Sequence, residues 1–197
     1  MSSAKKDDTE SLIRQTAKNL FFKEGRFGAT TQEIADAAQV NRTLINYYFR
    51  SRDNLFNIIF EEALAQQREN FVAILTSEER LRKKVEQYVE DSLISALEYP
   101  YLEIYIVTQL NRGSSYHAQR PDSSFKEALQ RELDEAIAAG EVNEISLQQF
   151  ILNIASLVSF PICMRPLLEE SLNLSREKYN ELLLQRKEII INTIFNN

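Results

Sequence analysis

Side chains able to engage a charged partner gather between Thr30 and Arg52, at the spacing of two short helices joined by a tight turn. Thr30 followed by Glu33 reads as a capping box opening the first, Thr31–Ala38. Gln39-Val40 makes the turn, and Asn41 is a good N-cap for the second, Arg42–Phe49. On that second helix Ile45 and Phe49, four apart, form a buried face. Arg42, Thr43 and Asn46 are then left to face outward, flanked by Tyr47 and Tyr48 and followed by Arg50 and Arg52. The chemistry is hydrogen bonding and charge, not bond breaking. Polar residues on such a helix can meet base edges in the major groove of B-form DNA. Hydroxyls, basic groups and helix N-termini can grip phosphates beside it.

Groups that could do catalysis or bind a metal are not arranged for it. There is one histidine, His117, and one cysteine, Cys163, so neither a metal cluster nor a thiolate zinc site is expected, nor a Ser-His-Asp triad. The acidic pairs Glu61-Glu62 and Glu169-Glu170 are adjacent, and adjacent side chains diverge on a helix. No enzyme activity, catalytic residue, metal or cofactor is expected.

The elements that must hold the Thr30–Arg52 segment follow from periodicity. Leu12, Ile13, Ala17, Leu20 and Phe21 mark a helix from Thr9 to Lys23, stopped by Gly25, after a polar tail at 1–8 expected to fray. Ser51 caps a long helix running to about Leu75. Further helical stretches are Glu78–Leu97, Tyr101–Asn111, Phe125–Ala139, Ser146–Leu172 with a kink expected at Pro161, and a last one from Ser175. A loop is expected from Gly113 through Pro121, with His117 in it. The expected fold is all-α with about nine helices: a three-helix helix-turn-helix module at 9–52 and a larger helical domain at 53–197.

Composition agrees with this reading. Four glycines and four prolines in 197 residues are too few for a sandwich or barrel, where turns recur every ~8–12 residues. The net charge of −6 is uneven: residues 1–55 sum to +2 and the rest to −8, so one end suits a polyanion and the rest would repel it. With no signal-peptide pattern at the N-terminus and no run of 18 apolar residues, a cytoplasmic protein without membrane attachment is expected.

Beyond these physical readings, residues Ile13–Leu55 resemble the tetracycline-repressor (TetR) family of bacterial transcriptional regulators. The match is carried by Ala17…Leu20-Phe21…Glu24-Gly25, Thr30-Thr31-Gln32-Glu33-Ile34-Ala35, Ala38…Val40 and Tyr47-Tyr48-Phe49-Arg50-Ser51-Arg52-Asp53-Asn54-Leu55. It implies a homodimer that binds a pseudopalindromic double-stranded DNA operator, usually as a repressor, and responds to a small-molecule effector in the C-terminal domain. Carried over by position, Thr31 and Gln32 would reach DNA from the second helix. Arg42, Thr43 and Asn46 would read bases, and Tyr47, Tyr48 and Arg52 would touch phosphates or sugars. Two positions depart from the pattern: Gln39 stands where the family usually has glycine, and Asn46 where it usually has tyrosine.

In the larger domain Tyr101, Tyr105, Phe160, Cys163 and Met164 are the expected effector-lining residues. The apolar stretch Leu147–Cys163 and the stripe Tyr179, Leu182, Leu183, Arg186, Ile189, Ile190, Thr193, Ile194 of the last helix are the expected dimer surface. The competing reading is a helical dimeric scaffold that does not bind DNA.

Overall fold

The computed structural model describes residues 3–112 and 123–196. The break expected at Gly113, the loop through Pro121 and His117 lie outside the described residues. The described chain is helical throughout, without strands: α1 Ser3–Lys18, α2 Thr31–Ala37, α3 Arg42–Phe49, α4 Arg52–Thr76, α5 Leu81–Glu98, α6 Leu102–Asn111, α7 Ser123–Ala138, α8 Leu147–Cys163, α9 Arg165–Ser171 and α10 Arg176–Ile194. No single helix among the described residues is long and apolar enough to cross a membrane. The residues group into two compact units. The first runs to Asn70 and takes in Tyr99–Leu102, and the second comprises Phe71–Glu98 and Glu103 onward. The first unit therefore holds residues 53–70 and 99–102, which the sequence groups with the larger domain.

In the first unit, α1 starts at Ser3, so the polar stretch expected to fray is helical from that point; Ala4, Lys5 and Lys6 are good helix formers and extend the periodic segment backward. At its other end α1 passes into a π-helical turn, Asn19–Lys23, where the Glu24 N–H reaches the Asn19 carbonyl at 3.0 Å. That turn buries three consecutive residues, Leu20, Phe21 and Phe22. Phe21 and Phe22 meet Phe56 of α4 at ring separations of 4.7 and 5.9 Å, and Phe60 lies 6.3 Å from Phe22. Burying such a ring stabilises the unit by about 2–3 kcal/mol each. Leu55, Phe56, Ile59 and Ala63 of α4 are all buried and all belong to this unit.

In the second unit, Leu81, Val85, Val89 and Leu93 place one face of α5 in the core every fourth residue. Leu133 and Ala136 of α7, Phe150, Ile154 and Val158 of α8, and Tyr179, Leu183 and Ile190 of α10 complete it. Lys84 is buried there, its ammonium bonded to the Glu132 carboxylate at 2.7 Å and to the Leu75 carbonyl at 3.1 Å.

Residues 146–172 are not one kinked helix. They form α8 and α9, bent by 71° at a break on Met164, which raises the count to ten. Pro161 sits inside α8, but the chain turns later, because α9 restarts with Pro166 in its first turn, where a missing N–H goes unused. The carbonyl that Pro161 leaves without a donor, that of Leu157, accepts from Arg186 Nη2 at 3.2 Å. The Pro161 carbonyl itself accepts from the Tyr179 hydroxyl at 2.7 Å. On α8 Ile151, Leu152 and Phe160 are exposed in the single chain.

Candidate nucleic-acid interface

The α2–turn–α3 segment is built by local hydrogen bonds that the sequence announces. Thr30 accepts from the Glu33 N–H at 3.3 Å, and the Glu33 carboxylate takes the Thr30 N–H at 2.8 Å, completing the capping box. Arg26 reaches the same carboxylate at 2.5 Å. The Thr30 backbone N–H foremost, then the Thr30 hydroxyl and Arg26, hold the Glu33 carboxyl below the usual range. In the turn, Gln39 adopts φ +55°, the left-handed conformation that glycine takes without strain. The Val40 N–H closes the turn onto the Ala35 carbonyl at 3.0 Å.

Asn41 caps α3 by accepting from the Thr43 N–H at 2.9 Å and from the Thr43 hydroxyl at 2.7 Å. Ile45 and Phe49 are buried, and this turns Arg42, Thr43, Asn46 and Tyr47 to solvent. Tyr47 is 65% exposed, its ring edge-on to that of half-buried Tyr48 at 5.1 Å. After α3 the chain turns at Arg50, φ +63°, and the Ser51 hydroxyl accepts from the Asn54 N–H at 3.1 Å, capping α4.

The expected DNA-facing residues are not equivalent. Thr31 is half-buried at the start of α2. Gln32 is exposed but donates its amide to Asp36 at 2.7 Å. Arg52 points inward: its guanidinium lies 5.1 Å from the Phe21 and Phe56 rings, and Nε donates to the Ala29 carbonyl at 3.2 Å. It is a brace that ties the turn before α2 to α4. The Gln32–Asp36 pair was readable from its four-residue spacing, whereas the direction of Arg52 depends on rings that only the tertiary fold assembles.

A support of this module comes from far along the chain. The Tyr101 N–H donates to the Phe22 carbonyl at 3.1 Å, and the Tyr101 ring lies edge-on to Phe27 at 6.4 Å. Gly25, at φ +72°, passes so close beneath that ring that a Cβ there would sit 2.9–3.0 Å from its carbons. Lys18 packs over Tyr99 at 4.2 Å.

Of the expected effector-lining residues, Tyr101 thus belongs to the first unit. Tyr105, Phe160, Cys163 and Met164 belong to the second. Tyr105, Cys163 and Met164 are half-buried, whereas Phe160 is exposed. The Ser159 hydroxyl donates to Glu103 Oε1 at 3.0 Å, and Cys163 lies one turn beyond Ser159. Burial, and then the Glu103 charge, push the Cys163 thiol up to about 11. Burial first, and Glu103 second, also raise the Tyr88 phenol. Nothing in the sequence signalled the Glu103–Ser159 pair, whose members are 56 residues apart.

Comparison with known proteins agrees with this geometry. Residues 13–59 match the family model described as bacterial regulatory proteins, tetR family. Over the whole chain the fold is similar to three solved structures. A TetR/AcrR-family transcriptional regulator from Thermobifida fusca has 19% identity and a TM-score of 0.60, covering 94% of this chain and 97% of that one. A TetR-family regulator from Marinobacter aquaeolei has 13% identity and a TM-score of 0.59, covering 98% and 99%. One from Pectobacterium atrosepticum has 20% identity and a TM-score of 0.55, covering 100% and 99%. Among proteins of curated function, none matches this chain.

Proposed function

We infer that this chain, a member of the tetR family of bacterial regulatory proteins through its residues 13–59, is a transcriptional regulator that binds a twofold-symmetric operator as a homodimer. The observation that carries the reading is the outer face of α3. A buried pair, Ile45 and Phe49, fixes the helix, and a capped N-terminus leaves Arg42, Asn46 and Tyr47 exposed beside one another. Such a helix fits the major groove, and the hydroxyl of Tyr47 suits a phosphate or sugar contact.

Dimerisation is supported by the surface of α8 and α10. Leu152 and Leu184 are 57% and 58% exposed, accompanied by Ile151, Phe160 and Ile189. Two neighbouring helices with that much apolar surface suit cover by a second copy. The readiest place for a small-molecule effector, whose arrival releases the operator, is around Glu103, which takes the Ser159 hydroxyl and whose charge acts on Cys163 and Tyr88; Tyr105 and Met164 follow on the same two segments of chain. A carboxylate among aromatic and hydroxyl groups suits an apolar cation.

Enrichment of duplexes from a random pool by the purified protein tests the core of the reading. A palindromic motif bound by two chains is the expected outcome, with half-sites about one helical turn apart or modestly more. Affinity falls steeply between about 50 and 200 mM salt, as phosphate contacts release counterions. Failure to enrich any duplex would favour the helical-scaffold alternative.

A further inference from the structure

We propose that α3 reads two bases in each half-site: a guanine through Arg42 and an adenine about two base pairs away through Asn46. The inference rests on the regulator reading above and gives it a sequence. Several side chains that could have read bases are committed elsewhere. The Thr43 hydroxyl donates to Asn41, so Thr43 offers no donor to a base. The Gln32 amide donates to Asp36. Arg52 is held on the Ala29 carbonyl and between two phenylalanine rings. Arg42 and Asn46 differ from these: both are exposed, and neither side chain has a hydrogen bond or ion pair among the described residues.

Their spacing sets the reading frame. Residues four apart lie on one face of a helix, about 6 Å apart along its axis. Successive base pairs rise by about 3.4 Å, so a helix lying along the groove brings the two side chains to bases about two steps apart. The donor pattern sets the bases. A guanidinium pairs bidentately with guanine O6 and N7, and a carboxamide with adenine N7 and N6. Asparagine is short, so α3 must sit close in the groove, and the small Thr43 beside Arg42 permits that approach.

Duplex enrichment with wild type, Arg42→Ala and Asn46→Ala tests the assignment, and Arg42→Lys and Asn46→Gln serve as conservative partners. Wild type enriches a half-site with a guanine and an adenine about two base pairs apart, each wrong base costing roughly five- to a hundredfold in affinity. Arg42→Ala loses preference at the guanine alone and Asn46→Ala at the adenine alone, while the two conservative variants keep those preferences. A motif unchanged by either alanine variant, both variants relaxing the same position, or a spacing beyond about four base pairs would overturn the inference while the regulator reading stands. No enrichment by wild type would overturn both.

Discussion

The two units of this chain differ most in what they leave at the surface. In the first, rings fill the interior (Phe21, Phe22, Phe56), and the surface of α3 is polar and uncommitted at Arg42 and Asn46. In the second, polar groups brace the interior: Lys84 on Glu132, Arg186 on the Leu157 carbonyl and Tyr179 on the Pro161 carbonyl. Its surface carries bare aliphatics at Leu152, Leu184 and Ile189. What each unit leaves exposed indicates what it meets. Free planar donors suit a hydrogen-bonding polyanion, whereas bare aliphatic side chains suit another apolar surface.

The strongest way to break this comparison is a pair of adjacent substitutions in α10. Leu183 is fully buried and Leu184 is 58% exposed. Leu183→Glu puts a charge into the core of the second unit and is expected to abolish its folding, seen as loss of helical circular dichroism. Leu184→Glu is expected to leave the protomer folded but monomeric by sedimentation. A folded dimer for Leu184→Glu would remove α10 from the proposed interface.

In the first unit Gly25→Ala is expected to cost about 2–4 kcal/mol by denaturant titration, from a positive φ and a clash with the Tyr101 ring together. In a Tyr101→Ala background the cost should shrink toward the φ contribution. An equal cost in both backgrounds would show that the ring plays no part.

Tyr179→Phe sharpens the account of the polar braces. It removes the hydroxyl that satisfies the Pro161 carbonyl and is expected to cost about 1–3 kcal/mol in the second unit, again by denaturant titration. A neutral result would mean that the carbonyl finds water instead.

The smallest effect expected is at the α2 cap. Glu33 has a lowered folded-state pKa, so its contribution is present above the ordinary glutamate range and is lost as pH falls through the folded value. Glu33→Gln should therefore narrow the stability gap between neutral and acidic pH, measured as melting temperature. The carboxylate lies at the surface, where solvent screens it, so the change is small.

What could be read from the sequence was local. Thr30, Asn41, Ser51, Ser146 and Ser175 cap the helices that their positions announced, because a cap needs only the next two or three residues. The left-handed Gln39 was signalled only through the resemblance, as a departure from its usual glycine. Features that join distant segments were not visible. Arg52 reads as a free surface cation until Phe21 and Phe56 are brought around it. The stripe through α10 set Leu183 apart from Leu184 but joined exposed Ile189 to buried Ile190, because a difference of one position, about 100°, is decided by which helices lie alongside. Equally hidden was the bond by which Arg186, 29 residues from Leu157, takes the carbonyl that Pro161 leaves without a donor.

The bracing of the α8–α9 corner by α10 also sets an order of assembly during synthesis. The first unit has all its parts once Leu102 has emerged, so it can fold while the rest of the chain is still being made. The second cannot close in the same way. Carbonyls of Leu157 and Pro161 wait for Arg186 and Tyr179, and the Phe150 ring waits for Phe195, 6.2 Å away in the finished core. Until residues 176–195 leave the ribosome, the apolar faces of α5 and α8 stay uncovered, and a nascent chain stalled before that point carries a finished first unit beside an open, aggregation-prone half-core.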